Sequence, residues 1–587
     1  MAWYDEAVFY HIYPLGLTGA PEHNSYDQPV HRLNQLIPWI DHISRIGCTG
    51  LYIGPLFESA GHGYETTDYR NVDSRLGTNE DLQQFVRLCH EAGIRVILDG
   101  VFHHTGRDFF AFRDLRKNRE NSLYRDWYCN VNFWNDNEYH DGFSYDNWGG
   151  YNLLAKLNLH NPAVRDYLLD TIRFWVSEFD IDGLRLDTAD VLDFEFMRSL
   201  RTLANEVKPE FWLMGEVIHG EYSRWANDHT LNSVTNYHLH KALYSAHNDH
   251  NYFEIAHTVK RQMDMGLGGV RLYSFADNHD VERICTKLRE KAHFLPVHVL
   301  LYTLPGIPSI YYGSEFGIEG RKERGSDASL RPCLDLEQLK REDAEKSDGG
   351  CLRLITALGE IHNRESALWY GDYRELQLTT TKYAFARGDR IITVNNDSNP
   401  AAFDLRMEGR YRGALSGREA SDTNGSLHLE IGGNDGEIWI PVSADSLKSS
   451  FDRSSAPVFV GISSISATEV SEGRGNDKSV RMDPEKASAS GADGQNAAKA
   501  PENGKSDTEQ ETKGLASETK HTAIEDSESY PRRAATPKPY EEMTIEELQA
   551  EILAKMAANG PVTDRMRQDV LDNIYPNSLL NWVRSFR

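Results

Sequence analysis

Cysteine is scarce in this chain: six residues in 587, at positions 48, 89, 129, 285, 333 and 351, with no CxxC pair. That scatter excludes a disulfide framework and a thiolate zinc site, and leaves the cysteines as small buried apolar residues. Long hydrophobic runs are missing too. No segment reaches the roughly 18 uninterrupted apolar residues of a membrane span, so no membrane partner is expected. The start, MAWYDEAVFYHIYP, carries neither a basic region nor the apolar stretch of a secretory leader, which makes the cytoplasm the expected location. Positive charge is short: 63 Lys and Arg against 89 Asp and Glu give a formal net charge of -26, with no basic stripe. A nucleic acid or other polyanion is therefore not the expected partner.

What is present is length and a repeating pattern. A chain of 587 residues exceeds what one core organises, so several domains are expected. Short runs rich in β-branched and aromatic residues recur: AVFYHIY near 7, TGLYIG near 49, RVILDGVF near 95, IDGLRLD near 181, FWLMGE near 211, SVTNY near 233, VRLYSFAD near 270 and IPSIYYG near 307. Helical stretches such as NEDLQQFVRLCHEAG lie between them. Eight such runs predict an α/β chain with a (β/α)8 TIM barrel built from residues 1–103 and 161–350.

The third run is followed by an insert, 104–160, that does not read as a simple helix and is dense in aromatics: Phe133, Trp134, Tyr139, Phe143, Tyr145, Trp148 and Tyr151. Most of these rings are expected to form the insert's own small core, with the remainder free to stack on sugar faces. Alternating segments such as ELQLTTTKYAFAR and RIITVNND predict an antiparallel β-sandwich domain over 351–443. A polar, acidic stretch with almost no aromatics predicts a disordered linker over 444–540. Over 541–587 a small helical module is expected, starting where Thr544 caps a helix with Glu547 and Ile545, Leu548, Ile552 and Met556 share a face. So small a module is as suited to docking on a partner or on the barrel as to folding alone, and a protein partner for it is open.

Three acids stand at the ends of apolar runs: Asp187 after GLRL, Glu216 after LMG, and Asp280 in FADNHD. Strand ends are where a parallel barrel delivers catalytic groups. Acetal cleavage needs one carboxyl protonated and another ionised beside a cationic transition state, so the trio suggests glycoside chemistry. Arg185, two residues before Asp187, shares its strand face and would keep it ionised.

In these blocks the chain resembles the α-amylase family, glycoside hydrolase family 13, over about residues 5–443. DGVFHH at 99–104, GLRLDTAD at 183–190, GEV at 215–217 and FADNHD at 275–280 stand in the family's order, with GYETTDY at 63–69 and TLPGIPSIYYGSEFG at 303–317 beside them. The resemblance implies that Asp187 is the nucleophile, Glu216 the acid and base, and Asp280 the stabiliser of the distorted sugar. It implies that His104 and His279 bind hydroxyls of that sugar and that Tyr64 stacks on it. Asp68 is implied at the substrate, with fixing its own loop as the other reading; Asp99 would hold Arg185, and Arg283 ranks last. His103 stands where many members carry a calcium-binding asparagine, and imidazole is a poor ligand for a hard cation, so no metal or other cofactor is expected.

Gly61 lies where exo-acting members carry an aspartate, which disfavours removal of single terminal glucoses. LAKLN at 154–158 is similar to the MPKLN block of the neopullulanase and cyclomaltodextrinase subgroup, although Asp190 and Val191 replace its Asn-Glu pair and, with a first strand near residue 7, its N-terminal β-domain is not expected. The implied activity is retaining hydrolysis of α-1,4 links, with α-1,6 links open, in maltooligosaccharides or cyclodextrins. A 4-α-glucanotransferase would use the same site, and a catalytically inactive glucan-binding scaffold is the reading from another class.

Overall fold

The computed structural model describes residues 2–267, 269–323, 325–346, 350–442, 540, 543–559, 567, 570 and 583. Eight parallel strands, β1 (Phe9–Ile12), β2 (Gly50–Ile53), β3 (Arg95–Gly100), β4 (Gly183–Leu186), β5 (Trp212–Gly215), β6 (Ser233–Val234), β7 (Tyr273–Phe275) and β8 (Ile307–Tyr311), lie side by side in the order β6-β5-β4-β3-β2-β1-β8-β7. A parallel bridge from Thr235 to Tyr273 nearly closes the ring. The expected barrel is formed, and each of the eight runs supplies one strand.

These strands read as continuous apolar runs because both faces are covered. Phe9, Tyr52, Ile97, Trp212, Met214, Tyr273, Phe275 and Ile307 fill the interior, where Trp212 stacks on Phe9 at 4.8 Å between centroids. Alternate residues, among them Tyr10, Leu51, Val96, Leu98 and Leu184, belong to the larger cluster beneath the helices. Gly183 opens β4 because a Cβ there would lie 2.4 Å from the Trp212 carbonyl oxygen. Only glycine lets β4 and β5 approach in this register, and that register carries the site.

Helix α1 (Asn79–Glu91) starts at a capping box between Thr78 and Asp81 and buries Leu82, Phe85, Val86 and Cys89 at helical spacing. In the insert, α2 (Phe110–Asn118) buries Phe112; after it, α3 (Pro162–Phe179) begins on the Asn161 cap with proline at its first position. The insert also holds a three-stranded sheet in which His104 pairs with Lys156 and Thr105 with Ala155. Its aromatic core differs from expectation. Phe143 and Tyr145 are buried with Phe112 and Tyr128, whereas Trp134 is 95% exposed and Tyr139 and Tyr151 face solvent.

From 373 to 441 the chain forms a six-stranded and a two-stranded antiparallel sheet over Ile391, Phe403, Leu429 and Trp439, as the alternation predicted. The expected linker lies outside the described residues, apart from Tyr540. In the separate C-terminal unit, Thr544 accepts from Glu547 N at 3.2 Å and the Glu547 carboxylate accepts from Thr544 N at 2.7 Å, which caps a helix at Ile545–Asn559. Its Leu548 and Ile552 pack with Val570 and Val583, joined by Ile545 and Met556. Cys48, Cys89, Cys285 and Cys351 are buried as expected, but Cys129 is half-buried and Cys333 is exposed. No described helix is long and apolar enough to cross a membrane.

Candidate active site

Register builds the site. β4 lies between β3 and β5, with Asp99 opposite Arg185 and Gly215 opposite Leu186. The ladder continues one residue further, from Asp187 N to Gly100 O at 3.1 Å and from Glu216 N to Leu186 O at 2.9 Å. Backbone bonds therefore fix both acids at neighbouring strand ends. Thr188 then turns the chain with φ 45° and ψ 44°. A left-handed β-branched residue is uncommon and costs about 1–3 kcal/mol, strain that cores tolerate at functional sites. Its N–H donates to Glu216 Oε2 at 3.1 Å.

One guanidinium organises three carboxylates. Arg185 Nη1 donates to Asp99 Oδ1 at 2.9 Å and to Asp187 Oδ1 at 2.9 Å, while Nη2 lies 2.7 Å from Glu216 Oε2. All four side chains are buried. Asp280 is held from the other side by His279 Nε2 at 3.0 Å and Arg331 Nη2 at 2.9 Å. Burial pushes the Asp187 carboxyl well above its usual range; Arg185 opposes this, and the charges of Glu216, Asp99 and Asp280 reinforce it. Burial would raise Asp280 as well, but His279, Arg331 and Arg185 outweigh it and hold that carboxyl well below the usual range. The carboxyls of Asp187 and Asp280 are thus shifted in opposite directions. Asp190, in the turn after Asp187, is pushed up to about 7 by burial and by Glu216.

Of the residues expected at the sugar, Tyr64 and His279 lie against Asp99 and Asp280. Tyr64 OH meets His279 Nε2 at 2.5 Å and Asp99 Oδ2 at 3.3 Å, and its ring stacks on His279. His104 Nε2 and His279 Nδ1 are buried atoms without a partner, so each has hydrogen-bonding capacity left for a ligand hydroxyl. Asp68 makes the loop contacts of its second reading. Its carboxylate accepts from Arg70 N at 2.7 Å and from Asn71 Nδ2 at 2.9 Å, so it fixes its own loop. Asp99 holds Arg185, as read from the sequence. Arg283 is fully buried, donating to Tyr312 O, Ser314 Oγ and Leu330 O, which makes it scaffold.

Sequence reasoning missed Arg331, Tyr237, Tyr52 and His11. Arg331 binds Asp280, donates Nε–H to His279 O at 3.0 Å and covers the Tyr13 ring at 4.6 Å. It lies in LRPC, which has no pattern of its own. Tyr237 OH reaches Glu216 Oε1 at 3.3 Å and Tyr52 OH reaches Asp99 Oδ2 at 2.9 Å. His11 stacks on Tyr52 at 4.1 Å with its Nε2 unpartnered. His11, Tyr52 and Tyr237 sit on or just past barrel strands, the signal that found Asp187 and could have found them.

At the expected calcium position the side chain is an imidazole, whose nitrogens are poor donors to a hard cation. His103 is buried, its imidazole is held down to about 3 by burial and by the Lys156 ammonium, and its Nδ1 faces His104 Nδ1 at 3.2 Å. At Gly61 a Cβ would meet Glu65 Oε1 at 2.9 Å, the oxygen that also pairs with His62 Nε2 at 3.0 Å.

A parallel barrel with buried acids and their guanidinium at its carboxyl-end mouth is the architecture of a glycoside hydrolase. Comparison with known proteins narrows the class. The model of the alpha amylase catalytic domain matches residues 23–375. A cyclomaltodextrinase of a Bacillus species is 31% identical over 452 residues, 72% of this chain and 78% of the relative. Neopullulanase 2 of Thermoactinomyces vulgaris is 29% identical, across 73% of this chain and 76% of the relative. A solved cyclomaltodextrinase structure superposes with a TM-score of 0.66 at 26% identity, covering 75% of this chain and 78% of its own. This chain belongs to the α-amylase family.

Proposed function

We propose that the protein is a cytoplasmic retaining hydrolase of α-glucans, cleaving α-1,4 links in maltooligosaccharides and cyclodextrins. The observation that carries this reading is Arg185, whose two terminal nitrogens hold Asp187 and Glu216 from adjacent strands, with Asp280 beside them. Asp187, ionised on Arg185, attacks C1 of the sugar while Glu216 gives its proton to the departing glycosidic oxygen. A β-glucosyl ester of Asp187 forms and the sugar leaving group departs as an alcohol. Glu216, now a carboxylate, takes a proton from water as the water oxygen attacks C1. The ester breaks, the product keeps the α configuration, and both carboxyls return to their starting states. Asp280 and the unpartnered nitrogens of His104 and His279 bind hydroxyls of the distorted ring, and Tyr64 stacks against it. Calcium has no step here.

The names of the relatives, cyclomaltodextrinase and neopullulanase 2, support α-glucan substrates and put an α-1,6 link within range. The test is digestion of maltoheptaose, β-cyclodextrin, pullulan and sucrose by wild type and Asp187→Asn, with products resolved by chromatography and anomeric form read by NMR. Glucose and maltose released first as α-anomers, and lost in the variant, are expected. First-formed β-anomers would refute retention. Longer chains at high substrate would make the protein a glucanotransferase, and no cleavage by either protein would leave a scaffold.

A further inference from the structure

Away from the acids, three metal-binding side chains converge where the barrel meets the C-terminal sheets. His250 follows the helix Tyr237–Asn248 with its backbone in the left-handed region at φ 48°. Glu290 caps the short turn Lys291–His293, and His293 ends it. One ligand atom from each residue lies within 4.8 Å of the other two, the one such trio among the described residues. His250 Nε2 is 3.3 Å from Glu290 Oε1, and His293 Nε2 is 3.9 Å from Glu290 Oε2. Tetrahedral zinc with bonds of about 2.0–2.1 Å spaces its ligands about 3.4 Å apart. Small side-chain rotations therefore close the shell.

The neighbours supply what a metal-bound imidazole needs, a fixed second nitrogen. His250 donates its Nδ1–H to the Asn396 carbonyl at 2.6 Å, which leaves the Nε2 lone pair on the side of Glu290. His293 Nε2 rests 3.1 Å from the same carbonyl, while its Nδ1 is buried without a partner. Asn434 Oδ1 is a second buried atom without one, and Asn434 acts on the His293 ring. An ion on His293 Nε2 moves the ring proton to Nδ1, where Asn434 Oδ1 can accept it, so both unpartnered atoms gain a use. Asn434 Nδ2 also steadies Glu290 Oε2 at 3.4 Å.

We propose that His250, Glu290 and His293 bind a divalent transition-metal ion of zinc's class, which pins the barrel to the C-terminal sheets through Asn396 and Asn434. Two imidazoles and one carboxylate favour such an ion over calcium or magnesium, which take oxygen shells. None of these residues touches the acid site, so the ion is structural.

The full-length protein, stripped with chelator and dialysed, is titrated with zinc sulfate by calorimetry and with cobalt(II) by visible absorption, and melted with and without zinc. The variants are Glu290→Gln and His250→Asn; both positions are partly exposed, and asparagine tolerates the left-handed backbone and keeps a donor toward Asn396. Wild type is expected to bind one zinc per chain, to show tetrahedral cobalt bands and to melt several degrees higher with zinc. Each variant should bind about tenfold or more weakly and lose the melting shift, with glucan cleavage little changed. No saturable zinc binding by wild type overturns the proposal. Equal affinity in wild type and both variants overturns it too, because the ion would then sit elsewhere.

Discussion

Replacing Arg185 with lysine separates the electrostatic role of this side chain from mere charge balance. The guanidinium meets Asp99 and Asp187 through Nη1 and Glu216 through Nη2. A lysine keeps the charge but offers one nitrogen, so one side of this fork is lost. A hydrogen bond to a charged group is worth about 1.5–3 kcal/mol, so the loss should lower kcat/KM about ten- to 150-fold. Direction in pH is the sharper readout. Activity needs Asp187 ionised, and burial holds that carboxyl above the ordinary range with Arg185 pulling it down. Weakening Arg185 should move the acidic limb of the kcat/KM profile to higher pH. Asp99→Asn should move it to lower pH, because Asp99 is one of the charges that raise Asp187. Profiles on maltoheptaose for the three proteins, with circular dichroism melts beside them, make the comparison. If the two variants shift the limb the same way, or neither shifts it, the account of Arg185 as the group that sets Asp187's ionisation is wrong.

Glu216→Gln should lower cleavage by about 10²–10⁴-fold with an unchanged fold; a loss under tenfold would move the proton donor elsewhere. Arg331→Leu removes the Asp280 partner at 2.9 Å and should lower kcat/KM about ten- to 150-fold, with little change in melting if the residue acts at the sugar. Asp190 titrates at about 7 beside Glu216, so the wild-type profile should carry an inflection there as a negative charge appears above that pH; Asp190→Asn should lack it. Asp182 is held down to about 2: burial would raise it, but His90, the Val96 N–H and Lys208 outweigh that. Its folded value lies below its unfolded one, so it contributes about 2 kcal/mol above roughly pH 4 that is lost as pH falls toward 2. Asp182→Asn should therefore lower stability in urea melts at pH 6 and narrow the gap to wild type at pH 2.5; a constant gap would show the aspartate is not the linked group.

The sequence determined the parallel, helix-covered strands because its strand runs are short, doubly buried and evenly interrupted by helices, and their count of eight favoured a barrel over a doubly wound sheet. It pointed to the acids by a related signal: Asp187, Glu216 and Asp280 stand at the ends of apolar runs, and period-two alternation put Arg185 on the face of Asp187. Other features were beyond local pattern. Asp68 has the residue type and spacing of a site acid, but its carboxylate accepts from Arg70 N and Asn71 Nδ2 in its own loop. Arg331 enters from a loop 51 positions after Asp280, and loop closure over that distance leaves no trace in neighbouring residues. His250 and His293 look like isolated histidines until the C-terminal sheets bring Asn396 to both. Periodicity records which face of an element is buried; only the packed chain decides which distant side chains share one charge.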